Sequence, residues 1–443
     1  MQMVVHLKKI IDNNLNLLIQ KVAPSNVEVQ RHLKKITHNL TRFMKWIVLS
    51  CIVGCIVGGI GTLFSFGVQL ATQCRTANSW LVWLLPVGGV VIVFCYKVLK
   101  MADDKGTNTI LESIRSQEHL SVKMAPLIFV STIITHLFGG SAGREGAALQ
   151  LGGSLGYQIG KWFHLDEKDL RIITMCGMSA GFSALFRTPL TAAVFSMEVV
   201  SVGVMYYSAL VPCVLAAIIG YSISGCFGMA APTYVILGIP SLSILPVLQV
   251  ILLAALCACI SALFCIALHK SGAIYQKYIK NQYLRIVVGG VLVIALAYLF
   301  RTTDYLGAGM NIIQDAMTVH TRPEAFLLKV IFTVITLGAG FKGGEIVPAF
   351  FVGATFGNTV GGLLGLNPSL GGAIGLMAVF CGVVNCPITA FIISLELFGM
   401  EGASYFLIAA AVSYMLSGYY GLYSNQKILY SKFRPQFIDK FSK

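Results

Sequence analysis

Long apolar segments separated by short polar breaks run through most of this 443-residue chain. About fifteen of these segments are long enough to be helices, and many are shorter than the roughly 20 residues that a helix needs to cross a bilayer. Glycine and proline interrupt them repeatedly, which is typical of broken or tilted helices around an internal cavity. The pattern predicts an all-α protein that spans a membrane many times, with several helices that end at membrane depth.

The composition agrees with this prediction. Hydrophobic residues make up 56% of the chain and charged residues only 11%, whereas ordinary soluble domains carry about 25% charge. The net charge is +14, and much of the excess lies in residues 1–45 and after residue 426. Basic flanks outside the apolar block predict that both termini lie in the cytoplasm. We expect a multi-pass protein of the cell membrane whose basic flanks face the lipid bilayer, and no binding of nucleic acid.

An internal repeat divides the apolar block into two halves. Three motifs recur in the same order at an offset of about 200 residues. Repeated halves of transporters are often inverted in the membrane, with the binding site at their interface; an odd number of crossings in each half would require inversion here. The matching pairs are residues 106–112 with 309–315, Gly143, Gly152 and Gly156 with Gly344, Gly353 and Gly357, and residues 188–192 with 386–390.

The repeat and the charge distribution together predict five regions. In chain order they are N-terminal helices on the cytoplasmic membrane surface (1–45), a first transmembrane repeat (46–226), a connector (227–244), a second transmembrane repeat (245–420), and a C-terminal helix with a basic tail (421–443).

Glu145 is the most informative polar residue, because it lies in a Gly-Arg-Glu-Gly sequence between long apolar segments. A carboxylate at membrane depth costs several kcal/mol unless it is protonated, paired or hydrated. A helix is predicted to begin near Gly146, and the first N–H groups of a helix lack internal partners and carry partial positive charge. They can bind an anion, and the Glu145 carboxylate could occupy the same site until a proton releases it. The alternative is close helix packing, with Glu145 paired to Arg144.

A second glycine-rich stretch, residues 338–348, corresponds to the first through the repeat. Pro348 suits the first turn of a helix, where a missing N–H costs nothing. Two helix starts that converge from the two halves would focus positive potential on one point. Glu345 adds a second carboxylate, which either caps this helix or handles ions directly.

Five further polar residues give weaker signals. Thr107 and Asn108 could donate hydrogen bonds to an anion or act as ordinary helix caps. Tyr423 follows the last apolar segment, where tyrosines usually belong to the aromatic belt at the membrane boundary. Arg187 either faces a cytoplasmic vestibule or caps a helix, and the role of Glu198 stays open.

Taken together, these motifs resemble the CLC family of anion channels and proton-coupled anion exchangers, over about residues 45–432. The resemblance implies two inverted halves per subunit, and a homodimer with one pathway in each subunit. It implies that Glu145 is the gating glutamate. The residues that it assigns to the anion sites are Gly146, Ala147, Ile346 and Val347 through their backbone N–H groups, and Thr107, Asn108 and Tyr423 through their side chains.

Two departures from chloride-transporting members resemble the fluoride-exporting branch of the family. Residues 106–108 read Gly-Thr-Asn where chloride-type members usually have Gly-Ser-Gly, and Glu345 replaces an apolar residue. The branch commonly has threonine at the position of Val347, so one hydroxyl contact is missing here, and Thr107 is not the residue most typical of the branch. The inner proton glutamate of chloride/proton exchangers falls at Val199, but the fluoride branch lacks it and is still proton-coupled.

The resemblance therefore implies a transporter that exports fluoride from the cytoplasm in exchange for protons, with Glu145 and Glu345 as the proton-handling residues. A chloride-selective channel or chloride/proton exchanger of the same fold is the alternative. We expect no cofactor, no metal site and no enzymatic activity, because the chain has no evident nucleophile–base pair or set of metal ligands. His136 is the one histidine deep in an apolar run, and no second histidine lies at ligand spacing.

Overall fold

The structure, a computed structural model, describes residues 27–116 and 118–443. Sixteen α-helices and three short strands lie in this part of the chain, which confirms the all-α prediction. By length and composition, six helical segments are long and apolar enough to cross a membrane. Five apolar helices are shorter, as the sequence pattern predicts. The six long segments are 31–77, 79–98, 207–226, 244–278, 282–299 and 346–363.

The first half contains eight helices, two 3₁₀ turns and one strand. They are α1 (Val27–Ala77), a 3₁₀ turn (Ser79–Leu84), α2 (Leu85–Val98), α3 (Thr107–Ser116), α4 (Met124–Leu137), α5 (Glu145–Trp162), α6 (Glu167–Phe186), α7 (Pro189–Glu198), β1 (Ser201–Val202), a 3₁₀ turn (Tyr207–Ala209) and α8 (Leu210–Cys226).

Residues 227–243 carry no helix or strand and lead into the second half. Its elements are α9 (Ile244–Tyr278), α10 (Gln282–Leu299), α11 (Met310–Asp315), α12 (Ala325–Ala339), α13 (Ile346–Leu363), α14 (Pro368–Val384), α15 (Pro387–Phe398), α16 (Ala403–Leu416), β2 (Lys427–Tyr430) and β3 (Phe437–Phe441).

The structure corrects two of the predicted regions, the first in its boundary and the last in its secondary structure. Helix α1 crosses residue 46 without a break, because its residues favour helix on both sides of the point where the composition changes. The remainder of the predicted N-terminal region, residues 1–26, lies outside the described residues. After residue 421 the chain forms strands in place of the predicted helix. β2 pairs with β1 in parallel and with β3 antiparallel, and Ile428 alone of the β2 side chains is fully buried, as expected for a strand with one covered face.

Helices α7 and α15, which the repeat relates, bind each other reciprocally. Glu198, at the end of α7, accepts hydrogen bonds from the Thr389 N–H (2.8 Å) and hydroxyl (2.5 Å) at the start of α15. Glu396, near the end of α15, accepts the same pair of bonds from Thr191 at the start of α7, at 2.9 and 2.5 Å. The two helices are therefore antiparallel, which is the geometry of inverted halves. Glu198 caps the helix of the opposite half.

Glycine contacts bring the neighbouring helices of each half very close. A methyl group on Gly152 of α5 would overlap the carbonyl oxygen of Gly177 on α6. The repeat-related pair, Gly353 of α13 and Gly375 of α14, has the same contact. These crossings fix the direction of α5 and α13, and hence the place where each helix starts.

We expect Gly152→Ala to lower the free energy of unfolding by about 1–3 kcal/mol, because the backbones at the crossing must separate. Gly59→Ala in α1 is the matched control, since the added methyl group would meet no atom within 4 Å. The control should be neutral, or more stable by up to about 1 kcal/mol from helix propensity. Denaturant unfolding of the purified protein in detergent measures both variants, and equal stabilities would contradict the close crossing.

Candidate functional site

The two glycine-rich loops meet directly. Gly143 and Gly344 form an isolated antiparallel bridge in which each N–H donates to the carbonyl oxygen of the other at 2.7 Å. A Cβ atom on Gly344 would lie 2.6 Å from the backbone nitrogen of Gly146, so only glycine permits this approach. The starts of α5 and α13 therefore lie side by side, one from each half of the chain.

Each of these helix starts leaves backbone donors without a helical partner. The first helical hydrogen bond of α5 runs from the Ala148 N–H to the Arg144 carbonyl oxygen (2.9 Å), and that of α13 from Ala349 to Glu345 (3.1 Å). Residues before the first bond have no acceptor inside their own helix. The N–H groups without an acceptor in their own helix belong to Glu145, Gly146 and Ala147 in α5, and to Ile346 and Val347 in α13.

The Glu145 carboxylate lies among these donors. The side chain is buried, and Oε2 accepts a hydrogen bond from the Arg144 N–H at 2.9 Å. The backbone N–H of Val347, from the opposite half, also lies close to the carboxylate. The predicted alternative, pairing with Arg144, is present only as a loose contact: Nε lies 3.9 Å from Oε1. The carboxylate thus occupies the kind of position that a bound anion would take.

Glu345 is half-buried, with its Oε2 atom shielded from solvent, and its environment is different. It makes no capping hydrogen bond to α13. Its Oε2 has no hydrogen-bond partner among the residues that the structure describes, and it lies against the first turn of α5 at Gly146. Glu145 and Lys342 are the charged side chains that act on it. The cap interpretation of Glu345 is therefore wrong for this geometry, and the residue remains a candidate for ion handling.

Tyr423 lies in the interior and not in a membrane-boundary belt. It is 2% exposed, its hydroxyl has no partner within the described part of the chain, and both Glu345 and Glu145 act on it electrostatically. The neighbouring residue Leu422 donates its N–H to the Val383 carbonyl oxygen at 2.8 Å. The segment after α16 is thus fixed to the end of α14, which places Tyr423 within electrostatic range of the two carboxylates.

Thr107 and Asn108 connect α3 to other parts of the site. The Thr107 hydroxyl donates to the Gly146 carbonyl oxygen at 3.1 Å. The side-chain oxygen of Asn108 accepts the Asn425 N–H at 3.0 Å, two residues beyond Tyr423. Thr107 therefore adjoins the first turn of α5, whereas Asn108 ties α3 to the segment that carries Tyr423.

Several supporting residues were not predicted. His136 donates through Nε2 to the Gly143 carbonyl oxygen at 3.2 Å. Ser141 bonds across the halves to the hydroxyls of Thr333 (3.0 Å) and Thr336 (3.1 Å). The two threonines, three positions apart in an apolar helix, share one face, and this spacing could have marked them as contacts of the site. Nothing in the sequence links His136 to Gly143.

Arg187 lies at the end of α6 and has a structural role outside the two glycine-rich loops. It ends α6 with a left-handed backbone (φ 59°), as Asn385 does at the end of α14. Its guanidinium donates to the Tyr221 carbonyl oxygen at 2.9 Å and lies over the Tyr221 ring at 4.0 Å. Of the two predicted roles, vestibule or helix cap, the structure favours the cap: Arg187 is the C-terminal cap of α6 and holds this end against α8.

Comparisons with known proteins agree with this geometry. The family described as "Voltage gated chloride channel" matches residues 88–418. A "Chloride/fluoride channel protein" of Pseudomonas syringae pv. tomato is 36% identical over 395 residues, covering 88% of this chain and 87% of the relative. The crystal structure of a CLC-type fluoride/proton antiporter matches with a TM-score of 0.84 at 29% identity, over 87% of this chain and 98% of that one. A slow cyanobacterial Cl⁻/H⁺ antiporter shares the fold at a TM-score of 0.73 and 21% identity, over 84% of this chain and 94% of that one.

We expect Glu345→Gln to leave the free energy of unfolding unchanged or to raise it, because the buried carboxylate oxygen Oε2 loses no partner and the charge is removed. Glu198→Gln is the contrasting variant. Its carboxylate accepts three hydrogen bonds at the start of α15, and we expect a loss of about 1–3 kcal/mol. Denaturant unfolding in detergent compares the two. If Glu345→Gln loses more stability than Glu198→Gln, then Glu345 is a structural cap.

Proposed function

Since the chain belongs to the voltage-gated chloride channel family, known as CLC, we propose that it is a proton-coupled antiporter that exports fluoride from the cytoplasm in exchange for protons. The observation that carries the proposal is the Glu145 carboxylate among the free N–H groups of two helix starts. A group that competes with an anion for one site, and that can be neutralised by a proton, links the movement of the two ions.

The proposed cycle follows from this competition. Anions approach from the cytoplasm past Tyr423 and Thr107. The ionised Glu145 side chain holds the site at the helix starts. When it takes up a proton it leaves the backbone donors, and an anion replaces it there because helix starts favour negative charge. Return of the deprotonated side chain expels the anion and closes the pathway.

Glu345 is proposed as the second proton-handling group. The position of the inner glutamate of chloride/proton exchangers is Val199, which is buried and cannot carry a proton. The Oε2 atom of Glu345 is shielded from solvent and has no hydrogen-bond partner in the described part of the chain, and Glu145 acts on this carboxylate electrostatically. Two neighbouring carboxylates repel each other when both are ionised, so the charge of Glu345 influences when Glu145 moves.

Two features bear on selectivity. Glu345 and the Gly-Thr-Asn sequence support fluoride, as does the resemblance to a fluoride/proton antiporter. Val347 supports the second candidate, a chloride-selective channel or exchanger, because an apolar side chain at the start of α13 offers no hydroxyl to a small, strongly hydrated anion. We place fluoride first because Glu345 lies beside the site with its Oε2 atom shielded from solvent and without a hydrogen-bond partner among the described residues. Such an atom is costly at membrane depth, so we infer that it has a function.

The proposed setting is the cell membrane, with both termini in the cytoplasm and two chains forming a homodimer. The residues of the candidate site all come from one chain, which supports one pathway per subunit. The basic flanks support the orientation through the excess of positive charge on cytoplasmic segments.

Ion flux from vesicles distinguishes the two anions. We expect an outward fluoride gradient to drive protons into proteoliposomes against their own gradient, at least about tenfold faster than an equal chloride gradient, which corresponds to 1.4 kcal/mol of discrimination. Fluoride and chloride electrodes, with a pH-sensitive dye, measure the fluxes. Equal or faster chloride transport would establish the second candidate in place of the first.

The role of Glu145 has its own test. We expect Glu145→Gln to abolish proton movement driven by fluoride, because the amide cannot bind and release a proton in the working pH range. Glu401→Gln, at an exposed turn between α15 and α16, is the control and should transport like the unchanged protein. Continued uphill proton transport by Glu145→Gln would exclude Glu145 as the coupling residue.

A further inference from the structure

A cavity of about 570 Å³ lies apart from the ion site. It is open to solvent on one side and is lined by the end of α2, by residues 102–105, by the turn between α9 and α10, and by residues 339–342. Neither carboxylate of the ion site lines it, nor do Thr107 and Tyr423. Its outer residues are exposed, while Tyr96 and Ala339 at its inner surface are buried.

Positive charge exceeds negative charge in this cavity. Four cationic side chains line it, against two acidic ones, and one of the four, Lys105, is paired with Glu112 outside the lining at 3.4 Å. One of the acids, Asp104, is already engaged, because its carboxylate accepts hydrogen bonds from Gln150 (2.9 Å) and Thr109 (3.3 Å). Its distance to the Lys342 ammonium is 3.9 Å. The lining cations are Lys105, Lys280, Arg285 and Lys342, and the acids are Asp103 and Asp104.

One cationic donor is buried without a partner. The Nε atom of Arg285 makes no hydrogen bond within residues 27–116 and 118–443, although it is shielded from solvent. Buried donors are ordinarily satisfied. Arginine presents donors in a planar fork that matches the oxygens of phosphate and carboxylate groups, so the unsatisfied Nε and the charge excess both fit an oxyanion.

The cavity also lies where membrane-spanning segments end. The C-terminal ends of the candidate spans 79–98 and 244–278, and the start of 282–299, all meet at it. Next to it are exposed apolar side chains, with Phe94 57% and Leu284 55% exposed. Lys97 lies over the Tyr283 ring at 4.2 Å. Aromatic and lysine side chains at the ends of spans are typical of the membrane–water interface.

We propose that this cavity binds a phosphate group, supplied by the headgroup of an anionic phospholipid. Arg285 and Lys280 hold the phosphate, and the acyl chains lie along the exposed apolar faces of α2 and α10. Basic pockets between transmembrane helices bind anionic headgroups in this way. The site is additional to the transported ions and does not depend on which anion the protein carries.

The position of the cavity gives the lipid an influence on transport. Residues 102–105 lead directly into Gly106 and Thr107, and Lys342 precedes Glu345 by three positions. A phosphate that binds between these two segments and the α9–α10 turn holds both in place. Lipid binding therefore stabilises the loops that carry the ion site.

Thermal unfolding of the purified, full-length protein in detergent tests the proposal. We expect short-chain phosphatidylglycerol to raise the melting temperature in a saturable way, and phosphatidylcholine to leave it unchanged. In the double variant Lys280→Gln with Arg285→Gln, the apparent affinity for phosphatidylglycerol falls by about tenfold or more. The single variant Lys280→Gln, at an exposed position, shows a smaller loss and serves if the double variant does not fold.

The control removes the same charge from the same region. Lys270→Gln with Lys277→Gln changes two exposed lysines of α9 that do not line the cavity, and should keep the full response to the lipid. Inorganic phosphate forms a third arm: a saturable, cavity-dependent shift would support the phosphate site and identify a soluble phosphate as an additional source. No shift with phosphatidylglycerol, or equal losses in both double variants, would overturn the proposal.

Discussion

The unpaired backbone N–H groups at the starts of α5 and α13 are the constraint on which the rest of the structure depends. A helix that starts at membrane depth leaves these donors without water, and each one costs free energy until it finds an acceptor. In this chain the Gly143–Gly344 bridge removes one N–H from each loop, and the Glu145 carboxylate meets others. The N–H groups that still lack an acceptor favour negative charge. The position between the two helix starts is therefore suitable for an anion.

The inverted repeat explains how two such helix starts can meet. In two halves that are inverted relative to each other, equivalent helices run in opposite directions, so equivalent N-termini can point at one another. The reciprocal bonds of Glu198 and Glu396 fix this arrangement at a second place. They also show that a membrane carboxylate need not be part of an ion pathway. Both carboxylate oxygens of Glu198 accept hydrogen bonds, whereas Oε2 of Glu345 has no partner among the residues that the structure describes.

Glycine and proline residues made much of the site predictable from the sequence. The glycines around Glu145, together with Pro348, marked both helix starts to within about one residue, because these residue types act on the backbone where they stand. The pairing of the two loops was predictable only through the repeat. Tyr423 was identified by resemblance, since a lone tyrosine near the membrane boundary has an ordinary explanation.

Long-range pairing accounts for what the sequence did not predict. The strand at 427–430 depends on Ser201–Val202, more than 200 residues earlier, so no local pattern distinguishes it from a helix end. The bond from His136 to Gly143, and the tie between Asn108 and Asn425, likewise require the folded arrangement of separate helices. The phosphate cavity is the feature that the sequence predicted least, because its lining residues come from four separate parts of the chain.

The most direct test of the account is a high-resolution experimental structure of Glu145→Ala in saturating fluoride. The account predicts an ion where the carboxylate now lies, within hydrogen-bond distance of the Val347 N–H, with the Gly143–Gly344 bridge intact. Fluoride and water have the same number of electrons, so calorimetric fluoride binding by the same variant identifies the occupant. An empty position, or an occupied one in a variant that keeps this bridge but does not bind fluoride, would contradict the central claim that the carboxylate and the anion share one site.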